Sequence, residues 1–258
     1  MAEFVSVDVA GGIWLVTIQR PERMNALHPP ANFELAEVFA AFGADDGARV
    51  AILTGAGERA FCAGNDLKYL AEGHPRRVPE TGFAGLTANY HRTKPVIAAV
   101  NGLAMGGGFE IALACDLIVA AEHAYFGLPE ARVGLAATAG GLHRLPRQIG
   151  LKPALGMILT GRRVMAAEGQ RLGLVNEVVP AGGSVVECAR HWAAQICECA
   201  PLSIRASLDV VNRGLEEASL EDAASADYAS VKILYASADA QEGPRAFAEK
   251  RKPEWQGR

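Results

Sequence analysis

The sequence predicts an α/β protein whose helices gather at the C-terminal end. Strand and helix signals alternate through the first two-thirds, and only helix signals follow, an ordering that fits an α/β core with a helical appendage. The apolar strand runs are short and end in glycine or proline. The third observation is Asn101-Gly-Leu-Ala-Met-Gly106-Gly107-Gly108-Phe-Glu110, a strand signal that runs through three glycines into an apolar-periodic helix.

Taken in order, residues 4–9 and 13–19 read as strands joined at Ala10-Gly11-Gly12, a hairpin signal. Residues 20–25 are loop. Residues 33–42 carry apolar positions at helical spacing. Residues 50–54 form a short buried-type strand closed by Gly55-Ala-Gly57. From 73 to 85 the pattern dissolves into glycine, proline and charge, which predicts a mobile loop. Residues 95–100 are a strand, 108–114 a helix, and 117–121 and 124–126 strands. Short helices are expected at 140–148, 151–159 and 166–171, with a strand at 174–179. Helices then follow at 184–199, 202–213, 219–235 and 240–250. This predicts a core over 1–183 and a helical region over 184–258. No internal sequence repeat stands out.

Composition narrows the functions. Half of the residues are hydrophobic, mean hydropathy is +0.11 and formal net charge is −4. No Lys/Arg cluster interleaved with aromatics occurs, which argues against nucleic acid as a partner. No apolar run approaches the ~18–20 residues of a membrane helix, and Met1-Ala-Glu-Phe is not the start of a signal peptide. Five cysteines, an odd number in a chain of this length, argue against a disulfide framework and for a cytoplasmic protein. Cys197-Glu-Cys199 is a lone pair without a nearby histidine, and no metal site is expected. Cys62 and Cys115 lie in apolar stretches that suit packing. The histidines show no ligand spacing and no Gly-x-Ser-x-Gly elbow exists.

The chemistry-bearing candidates are two glycine turns and two glutamates. Gly106 to Gly108 suit either a tight structural turn or a backbone cradle, since glycine lets a backbone approach closely and a helix start offers unpaired N–H groups. Gly64-Asn65-Asp66-Leu67 is a second strand-to-helix turn, with Asp66 placed as a helix cap or the turn as a second source of N–H donors. Glu110 follows the first turn, and Glu130 follows Phe126-Gly-Leu-Pro129. Each is an exposed carboxylate or a buried one. Two buried carboxylates with opposed protonation states would run base and acid chemistry together.

These motifs, together with Gly140-Gly-x-x-Arg144-Leu145, resemble the enoyl-CoA hydratase/isomerase (crotonase) superfamily in correct order, and the resemblance spans nearly the whole chain. It implies a spiral of ββα units with a C-terminal helical trimerisation region, assembled as a homotrimer or a dimer of trimers. It implies an acyl-CoA thioester substrate whose carbonyl is held by the N–H groups of Asn65 and Gly107. It assigns catalysis to Glu110 and Glu130, and coenzyme A enters as part of the substrate with no permanently bound cofactor. CoA contacts are implied at Arg23, Met24, Ala26, Ala63, Asp66 and Leu67, and from a neighbouring subunit at Phe247 and Lys250. The implied reaction is reversible hydration of a trans-2-enoyl-CoA. The alternatives are dehydration of carnitinyl-CoA, enoyl-CoA isomerisation and a non-catalytic CoA-binding scaffold.

Within the family, segments such as Thr160-Gly-Arg-Arg163 and Glu242-Gly-Pro244 are most similar to carnitinyl-CoA dehydratase-type members. Two departures from that branch stand out. Asn65 replaces a bulky aromatic, and Ala136-Ala-Thr138-Ala replaces a proline-containing turn. For a trimethylammonium-bearing substrate the available aromatic faces are Tyr69, Phe83 and Tyr90.

Overall fold

The computed structural model describes residues 3–75 and 77–258. The chain opens with the expected hairpin, β1 (Val5–Ala10) and β2 (Ile13–Ile18), antiparallel with Ala10 opposite Ile13. Gly11 (φ +58°) and Gly12 (φ +79°) fill a two-residue turn that needs positive φ at both positions. Helix α1 (Pro29–Ala44) follows, then β3 (Val50–Gly55), which pairs parallel with β2.

The next three units repeat one plan. A strand of a six-stranded sheet leads into a short strand of a four-stranded sheet, and then into a helical segment. The first unit is β3, β4 (Ala60–Cys62) and α2 (Leu67–Ala71). The second is β5 (Val96–Val100), β6 (Leu103–Met105) and α3 (Gly107–Ala114). The third is β7 (Leu117–Ala121), β8 (Tyr125–Gly127) and a 3-10 turn, Glu130–Val133. Strands β4, β6 and β8 lie side by side and parallel. Their C-terminal ends therefore deliver Asn65, Gly107 and Glu130 at matching positions, two or three residues after each strand. This repeat is structural and has no counterpart in residue identity.

The chain continues through α4 (Gly141–Ile149), α5 (Leu151–Thr160), β9 (Val164–Met165), α6 (Ala166–Arg171) and β10 (Glu177–Val179). The six-stranded sheet has the order β1-β2-β3-β5-β7-β10 and the four-stranded sheet β4-β6-β8-β9. The central parallel strands are buried on both faces, which explains their continuous apolar sequences. One face, with Ala51, Leu53, Val96 and Ala98, joins the main core under α1 and α3. The other, with Val50, Ile52, Ile97 and Val119, is covered by Ala189 and Ala193 of α7 (Val185–Glu198). Helix α7, the first helix of the 184–258 region, thus packs into the core.

The remaining helices are α8 (Pro201–Gly214), α9 (Leu220–Ser225), α10 (Ala229–Tyr235) and α11 (Ala238–Ala248). The single helix expected over 219–235 is broken at Ala226, whose extended backbone ends α9. No described helix is long and apolar enough to cross a membrane.

The 73–85 segment is firmly placed at its far end. Asn32 of α1 accepts the Ala84 N–H at 2.8 Å, and Gly85 packs so close to Ala36 that an added Cβ would fall 2.5 Å from its Cα. His28, just before α1, is buried between Phe4 and Tyr69 with ring-centroid distances of 4.6 and 5.3 Å. Burial, then the Arg20 charge, holds its imidazole below the usual value. A base whose folded pKa is depressed binds fewer protons folded than unfolded. Stability is therefore full above the unfolded value of about 6.5 and falls as pH drops through it. His28→Asn is expected to flatten this acid limb, read as the Tm difference between pH 7.5 and 5.5. An unchanged difference would assign the limb to other groups.

Candidate active site

Two loops form one wall of the site. Leu27 N–H donates to Gly64 O at 2.8 Å, Asp66 N–H to Leu27 O at 3.0 Å and Ala63 N–H to Met24 O at 3.0 Å. This is a parallel bridge between Leu27 and Asn65. In such a bridge the residue bonded through its two neighbours turns its own N–H to the opposite side. Asn65 N–H faces away from Leu27, and among the described residues it donates to no protein acceptor. The loop 20–27 is itself braced by Asn25, which donates to Ala56 O at 3.0 Å and Ala60 O at 2.7 Å, and by Arg20, which bonds Ala26 O.

The side chain of Asp66 is fully engaged. It caps α2 through the Tyr69 N–H at 3.2 Å and pairs with Arg20 at 3.0 Å. Burial works to raise its carboxyl, but the Tyr69 N–H and the Arg20 guanidinium outweigh burial and hold it below its usual value. Cys62 is a buried thiol, pushed up to about 12 by burial, and its sulfur accepts the Gly64 N–H at 3.3 Å. Cys115 is similarly buried and pushed up to about 12, so both thiols are packing groups. No group of His, Cys, Asp and Glu among the described residues could hold a metal ion.

The three glycines after β6 each answer a different demand. Gly106 adopts φ +55°, and an added Cβ would lie 3.1 Å from Glu130 Oε1. Gly107 lies under the Phe83 ring, where a Cβ would meet Cε1 at 2.7 Å. Gly108 packs on β4, where a Cβ would fall 1.9 Å from the Cys62 carbonyl oxygen. Gly107 is the first residue of α3, and its N–H donates to no protein acceptor among the described residues. Gly64 brings the two turns together: its missing Cβ would lie 2.9 Å from Gly107 N. The two N–H groups thus belong to backbones in contact, although they are far apart in sequence.

The two carboxylates have contrasting environments. Glu110, in the first turn of α3, is only 4% exposed, and its Oε1 accepts the Gly141 N–H at 2.9 Å. Glu130 has Oε1 against Gly106, while Oε2 is buried with no hydrogen-bond partner among the described residues. Burial raises the Glu130 carboxyl above its ordinary value. A carboxyl with a raised folded pKa stabilises the fold only in its protonated form, below the unfolded value near 4.5, and this is lost as pH rises through the folded value. At pH 7 the ionised group is a cost. Glu130→Gln is therefore expected to raise Tm at pH 7 by about 2–4 °C, since about 1 kcal/mol shifts a chain of this size by that much. A fall in Tm would refute the strained-carboxylate description.

The remaining predicted residues divide. Arg23 and Leu67 are exposed, Met24 is half-buried with φ +54° and Ala26 is buried, all on the stitched wall. Phe247 is 87% exposed at the end of α11, and Lys250 follows in a left-handed conformation (φ +55°). Of the three aromatics, Phe83 alone abuts the glycine turn. Tyr69 is stacked on His74 at 4.2 Å, and Tyr90 lies over the Arg144 guanidinium. Thr138 is exposed, and Glu110 Oε1 accepts from the nearby Gly141 N–H. The Gly141 contact was not legible in composition or spacing. The glycine pair 140–141 was its only signal.

Comparison with known proteins fits this geometry. Residues 8–258 match the enoyl-CoA hydratase/isomerase family, and the chain belongs to that family. Within it, the chain is 44% identical over 269 residues to a carnitinyl-CoA dehydratase of Proteus mirabilis (strain HI4320), with both chains fully covered. It is 46% identical, again over full length, to a carnitinyl-CoA dehydratase of Escherichia coli (strain K12). Among solved structures, an enoyl-CoA hydratase from Mycobacterium tuberculosis H37Rv superposes with a TM-score of 0.91 at 39% identity, covering 99% of each chain. A carnitinyl-CoA hydratase from Mycobacterium avium superposes with a TM-score of 0.79 at 42% identity over the full length of both. The crotonase-type spiral implied by the sequence motifs is thus the fold observed.

Proposed function

We propose that this protein is a hydro-lyase that adds water reversibly across the 2,3 double bond of a trans-2-enoyl-CoA. The observation that carries this reading is the pairing of two unengaged backbone N–H groups, Asn65 and Gly107, with two glutamates in contrasting surroundings. The N–H pair receives the thioester oxygen as it gains enolate charge, where preorganised donors act most strongly. Glu110, oriented by Gly141, takes a proton from the water that attacks C3. Glu130, with one oxygen buried and unpartnered among the described residues, delivers a proton to Cα. One proton is taken by Glu110 and one given by Glu130, and proton exchange with solvent resets the two carboxyls before the next turnover. Coenzyme A is part of the substrate. The wall formed by 23–27 and 63–67 receives it, and Phe247 and Lys250 reach toward the CoA of a neighbouring subunit.

A second reading, carnitinyl-CoA dehydration, is favoured by the names of the full-length relatives. It calls for an aromatic face free to receive a trimethylammonium group. Tyr90 already has Arg144 on its ring and Tyr69 is stacked on His74, which leaves Phe83, over Gly107, as the face for that group. A side-by-side turnover assay decides: crotonyl-CoA is expected to be hydrated faster than crotonobetainyl-CoA, and the reverse order would transfer the assignment to the second reading.

We further propose a homotrimer, alone or paired. Val211, Leu215, Leu220, Ile233 and Tyr235 on the C-terminal helices are exposed apolar side chains of the kind an interface covers. Light scattering should then give roughly 82 kDa, three chains of 27.2 kDa, or twice that. A monomer mass would rule it out. Five free thiols suit a reducing, cytoplasmic setting.

A further inference from the structure

Arg144 belongs to one of the four sequence motifs, yet the reaction as proposed leaves it without a task. It stands on α4, one turn beyond Gly141, whose N–H holds Glu110. Its side chain folds back over the start of the helix. A Cβ on Gly140 (φ +110°) would fall 2.1 Å from Nη1, so the backbone there makes room for the guanidinium. From this position Nη2 donates to the Thr87 carbonyl at 2.9 Å, and the guanidinium lies over the Tyr90 ring, 5.8 Å from its centroid.

Thr87 is buried, and its hydroxyl accepts the Phe83 N–H at 2.8 Å. Phe83 in turn presses its ring on Gly107. The contacts therefore form a closed circuit: Glu110, Gly141, Arg144, Thr87, Phe83 and Gly107. Its two ends meet in the first turn of α3, one end a carboxylate and the other a backbone donor.

We propose that Arg144 is a positioning residue that clasps the 82–90 segment onto the turn bearing Gly107, holding the Phe83 ring beside the proposed thioester site and so setting which acyl chains the enzyme accepts. Two parts of the side chain serve two contacts at once. The planar fork donates to the Thr87 carbonyl while its face lies on Tyr90, a combination that a lysine ammonium cannot reproduce. Burial pulls the guanidinium down from its ordinary value, and the facing Tyr90 and Glu110 act in the opposite direction. The guanidinium is half-buried, so its hydrogen bond and its ring contact are partly shielded from water.

The clasp itself does not depend on the reaction, but its kinetic consequences rest on the hydration reading. The test compares Arg144→Met, Arg144→Lys and Tyr90→Leu with the wild type. In the resting enzyme, amide hydrogen exchange over 83–90 is expected to speed up at least about tenfold in Arg144→Met. Steady-state hydration of crotonyl-CoA and trans-2-octenoyl-CoA supplies the second readout. The ratio of kcat/KM for the two chains is expected to shift at least about fivefold in all three variants. The kcat for crotonyl-CoA is expected to fall about tenfold or more in Arg144→Met, with KM little changed, because misplacing a reacting group acts on the chemical step. Arg144→Lys is expected to recover most of that kcat while keeping the altered chain-length ratio. Unchanged exchange over 83–90, or an unchanged ratio in folded variants, overturns the proposal. If Arg144→Met does not fold, Tyr90→Leu and Arg144→Lys carry the same comparison. If the wild type hydrates neither thioester, the hydration reading fails, while the exchange measurement still decides the clasp.

Discussion

Glu110→Gln and Glu130→Gln are each expected to lower kcat for crotonyl-CoA hydration by about 10²–10⁴, the range of a positioned acid or base. Glutamine keeps the shape of each side chain. At Glu110 its amide oxygen still accepts the Gly141 N–H, so the loss reports proton transfer and not a collapsed turn. KM should change little if, as proposed, the thioester oxygen is bound by backbone groups that neither substitution touches. The double variant should fall far short of the product of the single losses, since two groups that act on one water and one substrate work as a unit. The two variants should also separate in stability: Glu130→Gln gains while Glu110→Gln does not, because the unpartnered buried oxygen belongs to Glu130. Near-wild-type hydration in both would end the two-glutamate mechanism.

What was legible in the sequence follows the length of each signal. Five strands of the large sheet, β1, β2, β3, β5 and β7, span five or six residues, and their apolar runs placed them within a residue or two. Strands β4 and β6 have three residues and β9 has two, too few for alternation to register. Of the three short strands that deliver the turns, β8 showed in the sequence at 124–126 while β4 and β6 did not, so the repeat was hidden although its endpoints, Gly64 and Gly106–Gly108, were plain. Contacts between segments distant in sequence carry no local signature. Gly108 against the Cys62 carbonyl, Gly141 beneath Glu110 and Phe83 on Gly107 are all of this kind. The same holds for α7: its helical spacing showed in the sequence, but the face it buries is defined by strands more than 60 residues earlier.

Gly64→Ala is expected to weaken the proposed thioester binding by moving one backbone donor relative to the other. The donors Asn65 N–H and Gly107 N–H are backbone groups, so any substitution of either residue except proline leaves its N–H in place. Gly64 lies between them. It adopts φ +90°, and an added Cβ would lie 2.9 Å from both Gly107 N and the Met105 carbonyl oxygen. The methyl group would push the two turns apart and strain the backbone, at a cost of about 1–3 kcal/mol. Gly108→Ala makes the useful contrast. Its Cβ would fall 1.9 Å from the Cys62 carbonyl oxygen, an overlap that the packing of α3 on β4 cannot absorb, so loss of fold is expected there. At Gly64 a shift of a few tenths of an ångström relieves the clash but moves a donor off the oxyanion. The folded variant should lose about 10²–10³ in kcat, the range for losing one such donor. Because the interaction strengthens as charge builds on the oxygen, kcat and kcat/KM should fall together. Thermal melting separates misfolding from misalignment. A folded Gly64→Ala protein that hydrates crotonyl-CoA within threefold of the wild type would show that these two N–H groups do not hold the thioester.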